Sequence, residues 1–493
     1  MLTVLLILPL FGVLGVAINN SPDNQKRITL GITLANLAIS LVLWGEFDSS
    51  YNGFQYVQEF NTINLYHLHV GIDGISLWFV LLTTFIIPIC LLASWDSITH
   101  SIKEFLISFL VLEILLISVF IVLDLLLFYI AFESVLIPMF LVIGVWGSRE
   151  RKIHAAYYFF LFTLLGSLFM LLAVLVLYFS VGSTDYQTLV TADFSETRQR
   201  LLWLGFFFSF AVKVPMLPFH LWLPYAHTEA PVAGSILLAG ILLKLAGYGM
   251  LRYIIPLFPD ASVYFTPLVY ALSVISIIYS SFTTLRQVDI KAIIAYSSIG
   301  HVNVINLGIF SNTIQGIEGG MLLIIAHGIV SPALFICVAV LYDRFHTRIL
   351  KYFRGMVLSM PVFIVFFFIF ILANMATPLS GNFVGEFLSL TGAFTQNPVL
   401  TILGASSIVL SAAYSIWFFN RVSFGAQSVY LAPTSDLTRR EFMLLLPLLF
   451  LTLLFGIFPN LLLDTLHVSV SNILLHNPLI SVVLFLSGKI GGI

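Results

Sequence analysis

Apolar residues gather along this chain into long runs that short polar segments separate. A bilayer core about 30 Å thick needs about 20 apolar residues in a helix to cross it. That length predicts about fourteen membrane-spanning helices, at residues 2–18, 28–45, 72–94, 105–122, 125–145, 155–182, 201–223, 231–252, 263–284, 290–310, 316–342, 361–395, 399–420 and 441–459. The pattern therefore predicts an all-α, polytopic membrane protein.

Interruptions in the apolar runs predict where helices end or break. Asp124 divides a run that is too long for one helix into spans 4 and 5. Span 7 carries Pro215, Pro218 and Pro224, and each proline removes a helical hydrogen bond. Span 12 is interrupted by TPLSGN at 377–382. We therefore expect broken helices at spans 7 and 12.

Three segments differ from the membrane spans. In residues 51–70, aromatic and β-branched residues alternate with polar ones, which predicts a short β-hairpin or an irregular loop. Residues beyond 460 are amphipathic or short and are predicted to form an interfacial tail. The first twenty residues lack a basic start and a small-residue cleavage site, so we interpret them as the first span rather than a signal peptide.

Composition explains why lipid must surround most of this chain. Of 493 residues, 60% are apolar and only 9% are charged, whereas a soluble domain carries about a quarter charged residues. A formal net charge of −2 offers no basic face for nucleic acid.

Cys90 and Cys337 both lie in apolar runs without metal-ligand spacing, so we expect no redox centre in this chain.

The distribution of Lys and Arg between alternate loops predicts the orientation. Loops on one side hold most of the 21 cations, including Lys26, Arg27, Lys291 and Arg348, whereas the other side holds only four. Those four are Arg198, Arg200, Arg252 and Lys489. Cytoplasmic loops are the cation-rich ones, so both termini are predicted to lie outside.

Several ionisable residues fall within the predicted spans. They are Glu113, Glu133, Lys213, Lys244, His301, His327 and Glu386. An ionisable group in the membrane costs several kcal/mol (about 3 at a helix centre) and suggests a function. The alternative is a set of structural ion pairs that fix helix packing. So many such groups in neighbouring spans favour a path for protons.

The residue types suit proton transfer. Buried lysine and glutamate can gain or lose a proton near neutral pH, and histidine does so without burial. If Glu133 pairs with Lys213, their attraction is about 4 kcal/mol at 4 Å and an effective dielectric of about 20. Moving one charge across 100 mV takes about 2.3 kcal/mol. The change in free energy when the pair opens is therefore large enough to push a proton from Lys213 towards Lys244.

The positions of the broken helices suggest a repeat and a direction. Spans 7 and 12 are five apart and run oppositely, so spans 4–8 (105–252) and 9–13 (263–420) are predicted to be two inverted five-helix half-channels. Residues 1–104 and 441–493 flank them. His220 and His227 lie near the inner end of span 7, and Glu386 lies in the outer half of span 12, which predicts uptake inside and release outside. Alternatively, His220 or His227 caps a helix.

Six motifs make the chain resemble a known family. They are LDLLLFYIAFESVLIPM (123–139), AVKVPMLPFHLWLPYAHTEAP (211–231), GSILLAGILLKLAGYGMLR (234–252), AYSSIGHVN (295–303), AHGIVSPALF (326–335) and PLSGNFVGEF (378–387). They resemble the antiporter-like membrane subunits of respiratory complex I, NADH:ubiquinone oxidoreductase. Within that family the likeness is to the chain 4 (chain M) type, in a mitochondrial and plant-like form.

The resemblance implies roles for the buried residues. Glu133 and Lys213 match the switching pair, Lys244 the central carrier and His327 the connecting relay, with His301 nearby. Glu386 matches the exit site, where related chains usually have lysine. Glu113 matches a carboxylate that only some relatives carry.

The resemblance also implies where the rest of the reaction takes place. NADH, flavin, iron–sulfur clusters and ubiquinone are expected in partner subunits of a complex in the mitochondrial inner membrane, or alternatively in a bacterial plasma membrane. Two other functions stay open at this point. They are a Na⁺/H⁺ antiporter component of the same superfamily and a structural membrane spacer.

Overall fold

The computed structural model describes residues 1–63, 66–428, 430 and 434–475, which form a mostly helical protein. Eleven of the described helices are long and apolar enough to cross a membrane. Two shorter apolar helices, Leu2–Ile18 and Pro361–Asn374, accompany them. The prediction of an all-α polytopic protein is therefore confirmed at this level.

The N-terminal part of the described chain, up to residue 190, contains eight helices. They are α1 (Leu2–Ile18), α2 (Pro22–Gly45), α3 (Gly74–Ala93), α4 (Ile102–Ile121), α5 (Leu125–Ser134), α6 (Leu136–Trp146), α7 (Lys152–Val181) and the short α8 (Tyr186–Val190). Asp124 separates α4 from α5, as predicted, because its side chain accepts a hydrogen bond from Leu127 N and caps α5.

The remainder of the described chain contains fourteen further helical segments. They are α9 (Glu196–Lys213), α10 (Trp222–Glu229), α11 (Val232–Leu237), α12 (Lys244–Gly249), α13 (Ile255–Leu257), α14 (Pro259–Leu285), α15 (Ile290–Ile309), α16 (Ile314–Phe345), α17 (Met356–Ser359), α18 (Pro361–Asn374), α19 (Gly381–Gln396), α20 (Pro398–Ser423), α21 (Arg439–Ile457) and α22 (Asn460–Leu475). Two π-helical turns, Leu238–Leu242 and Met250–Ile254, join α11, α12 and α13 into one bent span.

Both predicted helix breaks lie where the sequence places them. Helix α9 ends at Lys213, and the non-helical residues 214–221 precede α10. Helix α18 ends at Asn374, and α19 begins at Gly381 with Ser380 as its N-cap. Prolines in both gaps lack the N–H groups that would continue the helical hydrogen bonds. Lys213 is the last residue before the first break, and Glu386 lies in the second turn of the helix after the second break.

The segment predicted as a hairpin or a loop is a hairpin. Strands β1 (Gln55–Ile63) and β2 (Tyr66–Ile72) pair antiparallel, with Glu59 opposite His69. Val70 forms a bridge with Val122, between α4 and α5. The hairpin is thus attached to the ends of the helices that carry the first group of buried charges.

Burial separates central from peripheral helices. Helix α16 is buried throughout its apolar window, and α3, α15 and the bent α11–α13 span are nearly so. Helices α2, α7, α14, α20 and α21 expose many large apolar side chains, which is expected where lipid is the solvent. The central helices are therefore shielded from lipid by the peripheral ones.

The predicted tail begins with a packed helix. Helix α22 buries Leu462, Leu466 and Val470 and contacts α3 and α16. Its position at a membrane interface stays a prediction, and residues 476–493 lie outside the described residues.

Candidate functional site

Glu133 and Lys213 meet at the ends of two helices. Glu133 lies in the last turn of α5, and Lys213 is the last residue of α9. Their Oε1 and Nζ atoms are 4.0 Å apart, while Lys213 Nζ donates a hydrogen bond of 3.0 Å to the Phe132 carbonyl. The same ammonium lies 3.1 Å from the centroid of the Phe132 ring. The lysine is thus held mainly by Phe132, and the Glu133 carboxylate lies at a longer distance from it.

Lys244 is separated by one residue from a π-helical turn, and its Nζ contacts two groups. Its Nζ donates to the Ala239 carbonyl within that turn. A π turn disturbs the regular helical bonding and is frequent at functional sites. The Lys244 Nζ atom is also 2.8 Å from His327 Nδ1, on α16. The lysine is thereby connected to a neighbouring helix.

His327, His301 and Glu386 continue this contact. The ring centroids of His301 and His327 are 5.4 Å apart, and His301 Nδ1 is 2.7 Å from Glu386 Oε1. These residues come from α15, α16 and α19, and all are nearly inaccessible to solvent. Together with Lys244 they form one series of four buried ionisable side chains.

Close helix packing holds the end of this series in place. A Cβ on Gly385 would lie 2.7 Å from Leu323 N, and one on Gly319 would lie 2.5 Å from Ser389 N. Such distances are shorter than van der Waals contact, so only glycine lets α19 approach α16 this closely. Because Glu386 follows Gly385, this approach places its carboxylate beside His301.

The other three predicted site residues lie apart from the series. His227 is in the last turn of α10, fully buried, with its ring stacked on Phe335 at 4.7 Å. His220 lies in the break after α9, with its ring centroid 5.5 Å from that of Tyr279. Glu113 is fully buried on α4 and accepts a hydrogen bond of 2.8 Å from Asn36. Among the described residues, no hydrogen bond or ion pair joins these groups to Lys244.

Three cations that the sequence places in loops are buried instead. Arg252 Nη2 is 2.5 Å from Asp73 Oδ1. Lys291 donates to the Ala230 carbonyl and Ser235 Oγ at 2.9 and 3.3 Å. Arg348 is 1% exposed, with its Nε 3.7 Å from Asp289. The loop assignment was wrong for Arg252, which lies in a π-helical turn, and for Lys291, which lies in the first turn of α15. Arg348 lies in a loop as predicted, but the loop is buried, which hydropathy along the chain does not reveal. Arg252 was detectable in principle, eight residues after Lys244 on the same helical face.

Known proteins similar to this chain extend over nearly its whole length. The profile of the NADH:quinone oxidoreductase/Mrp antiporter transmembrane family matches residues 122–411. NADH-ubiquinone oxidoreductase chain 4 of Mycosarcoma maydis is 59% identical over 96% of this chain and 99% of that protein. Chain 4 of Marchantia polymorpha is 52% identical over 96% of this chain and 96% of that protein. Chain 4 of Arabidopsis thaliana is 55% identical over 92% of this chain and 92% of that protein.

Solved structures show the same fold. A chain of respiratory complex I from Thermus thermophilus covers 97% of this chain and 100% of its own length, with a TM-score of 0.89 and 28% identity. A chain of the archaeal membrane-bound sulfane sulfur reductase has a TM-score of 0.86 at 20% identity, covering 96% of this chain and 97% of its own. The curated relatives include fungal, plant, algal and animal chains, so the plant-like origin stays a prediction.

Proposed function

This chain belongs to the NADH-ubiquinone oxidoreductase chain 4 family, within the NADH:quinone oxidoreductase/Mrp antiporter membrane proteins, and we propose that its buried ionisable side chains form its proton path. The chain is a proton-translocating membrane subunit of complex I. What remains to be assigned is which side chains carry the protons and in which order.

One observation carries the proposal. Lys244, His327, His301 and Glu386 come from four different helical segments, yet each lies beside the next in a part of the protein without solvent access. Their sequence separation rules out local turns as the cause of this contact. Groups that exchange protons must lie within hydrogen-bond reach or one water apart. Two of the three contacts lie within hydrogen-bond reach, and one water would have to join His301 to His327, whose ring centroids are 5.4 Å apart.

The proposed roles come from the motif resemblance, and the contacts from Lys244 to Glu386 support the second part of their order. The Glu133–Lys213 pair is the switch, Lys244 the central carrier, His327 and His301 the relay, and Glu386 the exit. The loose 4.0 Å pair supports the switch, because the Phe132 carbonyl keeps Lys213 in place when the glutamate moves. His220 and His227 serve uptake from the cation-rich side, and Glu386 releases towards the other.

We also propose the finer architecture that the sequence suggests. It comprises about fourteen spans, with inverted half-channels at 105–252 and 263–420 between flanking segments 1–104 and 441–493. The breaks that follow Lys213 and Asn374 support this proposal, since each half then contains one broken helix. Lys213 adjoins the first break, and Glu386 lies in the second turn of the helix that follows the second break.

Redox chemistry is proposed to belong to partner subunits. NADH, flavin, iron–sulfur clusters and ubiquinone would be bound there, in the mitochondrial inner membrane, with a bacterial plasma membrane as the alternative location. Both cysteines of this chain are buried among apolar residues, on α3 and α16, which supports the proposal.

The test is Lys213→Ala in the assembled complex, with Lys351→Ala as control because Lys351 is exposed. We expect Lys213→Ala to abolish or sharply reduce proton transfer coupled to electron transfer while assembly is largely retained. Normal pumping by an assembled Lys213→Ala complex would refute the assignment and favour a structural spacer. Transport that depends on sodium in liposomes would favour an antiporter component.

A further inference from the structure

Helix α2 buries its polar side and exposes its apolar side. The buried positions include Gln25, Thr29, Thr33, Asn36 and Ser40, each at most 4% exposed. Their spacing of four, four, three and four residues places them on one face of the helix. We refer to these five residues as the polar face of α2. It runs inside the protein between α1, α3 and α4.

The opposite side of α2 is suited to lipid. Leu34, Leu41 and Val42 are about half exposed, and Leu43 is the one apolar side chain among the buried residues of this helix. The long helix α3, in contrast, buries mostly apolar residues. Helix α2 therefore encloses polar atoms where close apolar packing would be more stable.

The polar face of α2 leads to a buried carboxylate. Asn36 Nδ2 donates 2.8 Å to Glu113 Oε1, and both residues are completely buried. The second carboxylate oxygen, Glu113 Oε2, accepts no hydrogen bond from the described side chains. A buried carboxylate with one free oxygen is costly unless a proton or water occupies that position. The observation therefore points to a group that is hydrated or protonated.

Structural adhesion between helices accounts for only part of the polar face. Asn36 bonds Glu113 on α4 and Ser40 bonds Thr84 on α3, but Thr29 and Thr33 do not bond a neighbouring helix among the described residues. Polar residues that join membrane helices do so by hydrogen bonds from one helix to another. Thr29 Oγ1 instead donates to Gln25 O, and Thr33 Oγ1 to Leu30 O, both within α2 itself. Hydroxyl oxygens that donate to their own helix keep their lone pairs free, so they can still accept a hydrogen bond from water.

The two ends of the polar face differ. Gln25 lies in the first turn of α2, beside Lys26 and Arg27 on the cation-rich side. Asn36 follows Gln25 by eleven residues, or about 16 Å along the helix axis. Beyond Ser40, which bonds Thr84 at 2.7 Å, Leu43 is buried and Trp44 packs on Trp78. The polar face thus begins at the cation-rich surface and ends in apolar packing.

We propose that the polar face of α2 is an additional inlet for protons, which leads water from the cation-rich side to Glu113. A proton delivered as hydronium would bind Oε2, neutralise the carboxylate and leave water, while Oε1 remains bonded to Asn36. Helix α4, which carries Glu113, packs against α5, which carries Glu133. The proposal rests on the proton-translocating function and adds a second uptake path outside both half-channels.

Access of water is tested by cysteine reactivity, which requires no pumping. In the assembled complex with Cys90→Ala and Cys337→Ala, the variant Thr33→Cys is exposed on each side to a small ammonium methanethiosulfonate. Thr163→Cys is the matched control, because Thr163 is equally buried and its hydroxyl also donates to its own helix, at Phe159 O. The rate of modification of each introduced cysteine is measured by mass spectrometry of this subunit. From the cation-rich side, the cysteine of Thr33→Cys should be modified at least about tenfold faster than that of Thr163→Cys. That ratio corresponds to about 1.4 kcal/mol.

Equal reactivity of the two cysteines, or faster reaction from the opposite side, would overturn the inlet.

A second measurement tests whether the inlet supplies protons that are pumped. Thr33→Val and Glu113→Gln should both lower the number of protons moved per electron pair, while Thr163→Val should not. A reactive Thr33→Cys combined with unchanged proton ratios would mean that the water does not supply pumped protons, which also overturns the proposal. Because reactivity is measured without turnover, failure of the proposed pumping role at Lys213 would be seen separately.

Discussion

Lys244 Nζ lies 2.8 Å from His327 Nδ1, so the central lysine shares a hydrogen bond with a histidine from another helix. An ammonium has donors but no lone pair, and Nδ1 must therefore accept while the lysine is charged. The neutral imidazole then carries its proton on Nε2. A proton that passes from Lys244 to Nδ1 makes the ring an imidazolium, and loss of the Nε2 proton then returns it to the neutral form. The two ring nitrogens would in this way let the imidazole act as a relay.

The first prediction concerns this relay. His327→Leu removes the only side chain that bridges Lys244 to the pair of His301 and Glu386 within the described structure. We expect a fall of about a hundredfold in the rate of coupled proton transfer, within the range of a lost acid–base group. Asn303→Leu is the control, because Asn303 is equally buried but bonds only to its own helix at Ile299 O. An assembled His327→Leu complex that pumps normally would contradict the relay.

The second prediction separates charge from hydrogen bonding at the exit. Glu386→Gln preserves an oxygen that can face His301 but removes the group that titrates, so pumping should be lost while assembly persists. Glu386→Asp shortens the side chain by one methylene and opens the 2.7 Å contact, so an intermediate rate is expected. Proton release measured in vesicles, with the exposed Glu104→Gln as control, distinguishes these outcomes. Equal rates of proton release by Glu386→Gln and the wild type would show that Glu386 does not carry pumped protons.

The third prediction concerns the buried pair of Arg252 and Asp73. Arg252→Met leaves Asp73 as an uncompensated buried charge, which should destabilise the subunit by about 3–5 kcal/mol. Adding Asp73→Asn should recover part of this loss, because asparagine is neutral and still caps α3. The measurement is the thermal stability of the purified complex and the retention of this subunit. A double variant no more stable than Arg252→Met would contradict the assigned cause.

The fourth prediction tests the close approach of α19 to α16. Gly385→Ala places a methyl group 2.7 Å from Leu323 N, so α19 must shift and carry Glu386 away from His301. We expect a destabilisation of about 1–3 kcal/mol together with slower pumping. Gly31→Ala is the matched control, since nothing lies within 4 Å of a Cβ there. It should be neutral or slightly stabilising by helix propensity. Equal behaviour of the two variants would argue against the packing constraint.

The sequence predicts a polytopic helical membrane protein correctly because hydrocarbon selects apolar residues directly. Asp124 and the TPLSGN segment mark helix ends without any knowledge of neighbours, since a charge and a proline-containing turn both interrupt an apolar helix. The sequence of residues 51–70 fits a strand pair and an irregular loop equally well. Pairing between distant residues, including the bridge of Val70 to Val122, decides in favour of the strand pair.

The contacts between particular side chains are much harder to predict from the sequence than the helices are. The pairing of Lys244 with His327 joins residues 83 positions apart, and that of Asn36 with Glu113 joins residues 77 apart. Hydropathy along the chain reports how apolar a position is, but not which helix faces it. For the same reason Arg252 was placed in a loop although Asp73 buries it.

By itself, the sequence determined that this protein is a membrane-spanning bundle with a few ionisable residues inside, because the cost of burying charge restricts such residues to functional or paired positions. Only the tertiary structure decided which of them touch. Contact between side chains depends on the rotation and crossing of helices, and glycines such as Gly385 set these through packing against distant parts of the chain. The series from Lys244 to Glu386 is therefore a property of the folded bundle rather than of any one segment.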